Sequence, residues 1–188
     1  MIYETIITTL NKNGSPHNAP MGVVEQDEMI VIAPYKSSTT LDNLQRGKSA
    51  VINMTDDVRI FAGCLTGRRD WPTVPVEHIN GQRLQSALSH IEVEVDHYDD
   101  DEIRPAFHCA VKHRVTHAPF RGFNRAQAAV LEAAILISRL HLLPREEIES
   151  GIRRMQPAID KTAGEKERLA WTWLMEHLEQ HKIIGNSD

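Results

Sequence analysis

The character of the chain changes near residue 120, and this change constrains the fold more than any other feature. Before that point the sequence consists of short β-branched runs separated by turn residues, and after it the spacing of apolar residues becomes helical. Strands first and helices second are typical of an α+β protein. With 188 residues, the chain is long enough for one large domain or two small ones. We therefore predict a β-rich domain over residues 1–119 and a helical subdomain over residues 120–188.

Six runs in the first part are predicted to be strands. The clearest pattern is that of Ile91, Val93 and Val95, which alternate with Glu92 and Glu94. Such alternation indicates a strand with one buried face and one solvent-facing face, here the glutamate face. The six predicted strands cover residues 3–10, 17–25, 29–33, 50–54, 91–95 and 106–115.

Three helices are predicted after residue 120. Asn124 is a good N-cap, and residues 126–142 are apolar nearly all round, so this helix should be central. The second helix starts at Pro144, and we expect Pro157 to end it because proline lacks the N–H that a helix needs. The third helix begins near Gly164. The apolar residues predicted to share its buried face are Ala170, Trp173, Leu174 and Leu178.

Composition and charge argue against several classes of protein. The net charge is −5 and the pI about 6.1, so no overall field attracts nucleic acid or an anionic membrane. No apolar run approaches the roughly 20 residues of a membrane-spanning helix, and the first residues lack the pattern of a signal peptide. Cys64 and Cys109 are the only cysteines, which supports neither a disulfide framework nor a zinc ribbon. We expect a reduced, cytoplasmic protein that binds neither nucleic acid nor membrane.

A hydroxyl-rich segment lies where a predicted strand leads into a short helical pattern that Gly47 closes. The start of a helix has unpaired N–H groups and partial positive charge, which suit a phosphate. A Ser or Thr that only caps the helix is the alternative, but a cap needs one hydroxyl and this segment has four beside a lysine. The candidate phosphate-binding residues are Lys36, Ser37, Ser38, Thr39 and Thr40.

Two further segments are candidates for ligand binding. Pro20 interrupts a predicted strand and cannot donate to a neighbouring strand, while Gly22 allows another group to approach the backbone. This strand either presents its main chain to a ligand or is an edge strand with a bulge. Residues 53–58 lie at the end of a buried strand, where loops carry binding groups but also form ordinary polar turns.

Taken in order, these segments resemble one flavoprotein class. The residues that carry the resemblance are 2–5, 17–22, 36–44, 53–57 and 119–126. Their order and spacing are similar to the FMN-binding split-barrel proteins, which include flavin reductases and pyridoxamine-phosphate oxidases. The closer likeness, over roughly residues 1–143, is to a two-domain branch called domain of unknown function 447. The resemblance implies a six-stranded antiparallel split β-barrel with Greek-key topology, followed by a three-helix subdomain.

The resemblance also implies a cofactor, FMN, and the residues that hold it. Its phosphate would be bound by Lys36, Ser37, Ser38, Thr39 and Thr40. Its isoalloxazine ring would lie along the backbone of Asn18, Ala19, Pro20, Met21 and Gly22. The ring or the ribityl chain would be reached by Asn53 and Thr55. In such proteins the flavin lies at a two-fold subunit interface, so a homodimer is implied.

We therefore predict an FMN-dependent oxidoreductase of flavin-reductase type. The flavin would carry the redox chemistry, so no protein residue is obligatory for its reduction and no catalytic residue is assigned. A small-molecule substrate or a nicotinamide donor would react with it, and the sequence names neither. One alternative is a non-catalytic binding or assembly protein that holds flavin or another phosphorylated ligand. Another is a pathway enzyme that acts on a phosphorylated or pterin-like metabolite.

The ten histidines do not predict a metal site. His113 and His117 are four residues apart on a predicted strand, which separates them by about 13 Å, too far to share an ion. His177 and His181 have helical i, i+4 spacing but no evident third ligand. The acidic residues 96–102 are expected to form a solvated turn, with a metal site as the weaker interpretation. His113 is either a hydrogen-bonded core residue or a proton donor beside a cofactor.

Overall fold

The computed structural model describes residues 1–184, which form two compact units. The first unit comprises residues 1–56 and 70–120, and the second comprises residues 57–69 and those from 121 onward. Each unit has its own cluster of buried apolar side chains. A short segment of the second unit is thus inserted into the sequence of the first.

The first unit is a closed barrel of six antiparallel strands, and each corresponds to a predicted strand. Their order around the barrel is β1 (Ile2–Leu10), β2 (Pro16–Gln26), β3 (Met29–Ile32), β8 (Ala106–Thr116), β7 (Ser89–Asp99) and β4 (Ser49–Met54). Pairing of β4 with β1 closes the barrel. A separate hairpin consists of β5 (Thr73–Pro75) and β6 (Gln82–Leu84). The predicted six-stranded antiparallel barrel of an α+β fold is confirmed.

The interior of the barrel is filled by side chains from all six strands and from helix α1 (Thr39–Gly47). Complete burial of one such aliphatic side chain stabilises the fold by about 1.5–3 kcal/mol. Leu41 and Leu44 of α1 belong to this cluster, so hydrophobic contact holds the start of α1 against the barrel. The fully or nearly fully buried members include Ile7, Ile30, Ile32, Leu44, Ile52, Val93, Phe107 and Cys109.

Strand β2 is paired on both edges over only part of its length. Residues 16–24 pair with residues 2–10 of β1, whereas only residues 23–26 pair with β3. Residues 16–22 therefore pair with β1 and lie outside the pairing with β3. Pro20, which has no N–H to donate, lies in this half, as expected for an edge segment.

Up to residue 184, the second unit contains four helices: α2 (Val58–Leu65), α3 (Arg125–Ile137), α4 (Arg145–Thr162) and α5 (Glu165–Ile184). The last three confirm the predicted C-terminal helices. Asn124 is the N-cap of α3, because its side chain accepts hydrogen bonds from the amides of Ala126 (2.8 Å) and Gln127 (3.2 Å). The predicted end at residue 142 is wrong, since α3 gives way at Ile137 to tighter i→i+3 hydrogen bonds.

A further helix prediction, the end of the second predicted helix, is also wrong. Pro157 lies inside α4 and does not end it. Because Pro157 has no N–H, the carbonyl of Arg153 loses its helical hydrogen-bond donor. Both residues are exposed, so a water molecule can donate to that carbonyl instead. In α5 the predicted apolar face is confirmed: Ala170, Leu174 and Leu178 are buried, and the partly buried Trp173 packs against the same core, to which Trp171 also belongs.

Helix α2 is not predicted from the sequence. It has eight residues, and a short apolar run of that length does not distinguish a helix from a strand. Its N-cap is Asp57, whose carboxylate accepts from the amide of Arg59, and its apolar Val58 and Ala62 pack in the core of the helical unit. Among residues 1–184, no helix is both long and apolar enough to cross a lipid bilayer.

Candidate functional site

The hydroxyl-rich segment leads from β3 into α1, as the sequence predicts. Ser38 is the N-cap: its Oγ accepts from the amide of Leu41 (3.2 Å) and donates to the carbonyl of Tyr35 (2.7 Å). Thr39 and Thr40 form the first turn, where the helix itself supplies no acceptor for the amides. The capping interpretation is therefore correct for Ser38, and the other hydroxyls have no part in the cap.

The other three hydroxyl residues differ in their access to solvent. Thr40 is 1% exposed and lies in the interior of the barrel unit. Ser37 and Thr39 are exposed beside the start of α1. An anion at this helix terminus would meet the hydroxyls of Ser37 and Thr39 together with the first amides of the helix.

The charge of Lys36 is engaged with the turn between β7 and β8. Its Nζ lies 3.3 Å from Asp100 Oδ1 and donates to the carbonyl of Asp101 at 3.1 Å. The side chains of Lys36 and Asp100 are 50% and 71% exposed, so solvent screens this ion pair. Such pairs contribute about 0–1 kcal/mol, and Lys36 can exchange Asp100 for another anion at little cost.

Two predicted site residues, Asn18 of β2 and Asn53 of β4, are linked by a buried chain of hydrogen bonds. Thr8 Oγ1 donates to Asn18 Oδ1 at 2.7 Å, and Asn53 Nδ2 donates to Thr8 Oγ1 at 3.0 Å. Asn53 also donates to the carbonyl of Ile6 (2.9 Å) and accepts from the amide of Leu84 (2.8 Å). The fully buried Asn53 amide thus joins β1, β4 and β6, and its part in a cofactor site stays a prediction.

Strand β1 of the same barrel approaches the backbone of Gly22 closely. A Cβ at Gly22 would lie 2.7 Å from Cγ2 of Ile2, so the strand packs there only because the side chain is missing. Thr5 Oγ1 donates to the carbonyl of Met21 at 2.9 Å. The remaining predicted residues differ in exposure: Pro20 is exposed, and Ala19, Met21 and Thr55 are half-buried.

A buried carboxylate on β7 overturns one sequence prediction. Glu92 is 1% exposed, although the alternating pattern assigns it to the solvent-facing side. The loop between β5 and β6 covers it, and its Oε2 accepts from the amides of His78 (2.9 Å) and Ile79 (3.1 Å). Burial raises the pKa of Glu92, but the amide of His78 and the side chain of His90 outweigh burial and hold this pKa below its usual value. The carboxylate is therefore ionised at neutral pH.

His90 and His117 extend this cluster. His90 Nε2 lies 3.4 Å from Glu92 Oε1, and His90 Nδ1 lies 2.8 Å from His117 Nε2. Burial lowers the pKa of His90, so its ring is neutral and has a single N–H. Because ionised Glu92 only accepts, we assign that proton to Nε2, and Nδ1 then accepts from His117.

His113 lies opposite Glu92 across the β7–β8 pair and contacts a histidine from the covering loop. The rings of His78 and His113 have centroids 4.0 Å apart, and a ligand atom of each lies within 4.8 Å of the Glu92 carboxylate. A register irregularity follows Glu92: Val93 pairs with Val111, so Lys112 is left without a partner residue in β7. Sequence spacing does not reveal this group, since its members come from a loop and two strands.

The closed antiparallel barrel with a hydroxyl-rich loop before α1 gives the chain a split-barrel fold of the flavin-reductase-like type. Among proteins of this fold, the chain belongs to the DUF447 family. Residues 3–118 match the profile described as "Protein of unknown function (DUF447) N-terminal domain", and residues 124–176 match that described as "Protein of unknown function (DUF447)". The family resemblance stated from the sequence is confirmed. No curated protein matches the chain.

Solved structures share the fold. An FMN-bound DUF447 protein from Methanosarcina mazei is 22% identical, with a TM-score of 0.81 over 94% of this chain and 95% of that one. The 2-nitrobenzoate 2-nitroreductase of Pseudomonas fluorescens is 21% identical, with a TM-score of 0.52 over 61% of this chain and 64% of its own. A flavoredoxin from Methanosarcina acetivorans is 12% identical, with a TM-score of 0.52 over 62% and 69%. At these identities the likeness establishes a common fold.

Proposed function

We propose that this protein binds FMN and is an FMN-dependent oxidoreductase of flavin-reductase type. The observation that carries the proposal is the start of α1, where first-turn amides that have no acceptor within the helix lie beside the exposed hydroxyl residues Ser37 and Thr39. The FMN-bound relative from Methanosarcina mazei, which covers nearly the whole chain, supports the choice of flavin. When bound, FMN supplies the hydride or electron transfer.

The chain's own residues would bind and orient the cofactor. Ser37 and Thr39 would donate to the phosphate together with the first amides of α1, and Lys36 would leave Asp100 to pair with it. Residues 18–22 of β2, which lie outside the pairing with β3, would lie along the isoalloxazine ring. Asn53 and Thr55 would complete the site near the ring or the ribityl chain.

We also propose that the protein is a homodimer with flavin at the subunit interface. Large apolar side chains are exposed on the barrel unit, among them Ile2 (66%), Tyr3 (49%) and Ile103 (65%). Contact with a second copy would remove this apolar surface from water. Sedimentation analysis should give twice the 21.3 kDa chain mass, and a monomer in the presence of FMN would contradict the dimer.

The phosphate assignment is tested by comparing FMN with riboflavin, which lacks the phosphate. We expect Lys36→Ala to weaken FMN about tenfold, or about 1.4 kcal/mol, and to leave riboflavin unchanged. Asp100→Asn should have the opposite effect on FMN, because it removes the carboxylate that competes for Lys36. Lys12→Ala is the control, since it removes the same charge from the exposed turn between β1 and β2. Equal losses for both flavins would exclude the phosphate site.

Catalysis is tested separately from binding. NADH or NADPH should reduce the bound FMN in an anaerobic stopped-flow experiment, with bleaching of the oxidised flavin absorption. If the protein binds FMN but neither nicotinamide donor nor a low-potential electron carrier reduces the bound flavin, the non-catalytic alternative is supported.

A further inference from the structure

We propose that His78, Glu92 and His113 form a binding site for a divalent transition-metal ion such as Zn²⁺. Each residue offers one ligand atom, and all three atoms lie within 4.8 Å of one another. Two imidazoles and one carboxylate are a ligand set that zinc and neighbouring first-row metals accept. The inference concerns the barrel unit alone and does not depend on the binding of FMN.

Glu92 is held ready to act as a ligand. Oε2 accepts two backbone amides, from His78 and Ile79, and Oε1 lies 3.4 Å from Nε2 of His90. An ionised carboxylate has about four acceptor positions, so these three contacts leave one at Oε1. Hydrogen bonds of this kind fix the orientation of a ligand in metal sites. The site therefore has a fixed, buried anion at its base.

The two imidazoles can close on an ion that Glu92 holds. Bonds of about 2.1 Å in tetrahedral geometry place ligand atoms about 3.4 Å apart, so side-chain rotation must shorten the present separations by at most about 1.4 Å. His78 is exposed and His113 is half-buried, which leaves both rings room to rotate. The amide of His78 already binds Glu92, so the loop that carries this ligand is tied to the site. Three protein ligands leave a fourth position for water or another ligand.

A second group, His97, Asp99 and His108, has similar composition but lacks these features. The Asp99 side chain is 73% exposed, and its Oδ2 lies 3.1 Å from Nε2 of His108. No buried carboxylate anchors this group. It therefore provides a matched control of two histidines in the same barrel.

The experiment is a titration of chelator-treated full-length protein without an affinity tag. Co²⁺ is followed by its visible absorption, and Zn²⁺ then displaces it. We expect one equivalent to bind, with affinity reduced at least tenfold in His78→Ala and in His113→Ala. The double variant His97→Ala with His108→Ala should bind like the unmodified protein.

Circular dichroism of each variant verifies that it is folded. Because His78 and His113 are not fully buried, their replacement by alanine should leave the barrel intact. The proposal is overturned if the unmodified protein binds neither ion. It is also overturned if the His78 and His113 variants bind as tightly as the unmodified protein, or if only the control variant loses the ion.

Discussion

At the scale of single residues, the charge of Asp57 should stabilise the helical unit. Its buried carboxylate lies 2.8 Å from Nε of Arg59 and 3.3 Å from Nζ of Lys166. Burial raises the pKa of Asp57, but the hydrogen bonds and charges of Arg59 and Lys166 outweigh it and hold the pKa below 3.8. A lowered pKa means that this stabilisation is present above pH 3.8 and is lost as the pH falls through the folded-state pKa.

Asp57→Asn tests this charge while keeping a good N-cap for α2. We expect the variant to lose about 1–2 kcal/mol at neutral pH, since the exposed Lys166 partner is partly screened by solvent. The difference from the unmodified protein should shrink in acid. Urea unfolding followed by circular dichroism measures it, with Asp56→Asn as the control for loss of one adjacent charge. Equal stability of Asp57→Asn and the unmodified protein at neutral pH would contradict the prediction.

Single residues also show what sequence patterns leave out. The alternation of residues 91–95 correctly predicts a strand, yet Glu92 is buried because a loop some 14 residues earlier covers it and donates two amides. That contact depends on the path of a loop, which has no periodicity to read. The four hydroxyls before α1 present the same problem: one pattern contains a cap, a buried residue and two exposed groups.

At the scale of elements, Pro157 inside α4 should cost stability. It removes one helical hydrogen bond from an 18-residue helix that otherwise continues to Thr162. Pro157→Ala should therefore stabilise the helical unit, by about 1–3 kcal/mol. Pro144→Ala is the control, because proline at the start of a helix removes no helical bond and its replacement should have little effect. An unchanged or lower urea midpoint for Pro157→Ala would contradict this prediction.

The elements themselves are largely readable from the sequence. All six barrel strands and the three C-terminal helices are predicted, because each is indicated by an alternating or short apolar run, by helical spacing, or by a capping residue such as Asn124. Pro157 and α2 are the exceptions. In α4 the buried Ile148, Gly151 and Ile159 hold the helix together across the proline. The eight-residue apolar run of α2 is too short for its sequence to distinguish a helix from a strand. The packing of Val58 and Ala62 in the core of the helical unit favours the helix.

At the scale of the whole molecule, the order of the segments contains more information than any one of them. Residues 18–22 and 36–40 are far apart in sequence, and neither alone distinguishes a binding site from an edge strand or a cap. Their ordered combination identifies the family, which the matches over residues 3–118 and 124–176 confirm. Closure of the barrel is a long-range property, set by the pairing of β1 with β4, that no local pattern specifies.

FMN binding at the proposed cofactor site should therefore protect two segments that are separated in the sequence. Hydrogen exchange followed by mass spectrometry should show that saturating FMN slows exchange most in residues 16–22 and 36–44, because their amides open only when the ligand leaves. Riboflavin is the matched ligand: it should protect residues 16–22 and leave 36–44 exchanging as in the free protein. The internal reference is α4, which lies in the helical unit. Protection of 36–44 by both flavins alike would contradict a phosphate site at the start of α1, whereas protection of 36–44 without 16–22 would move the ring away from β2.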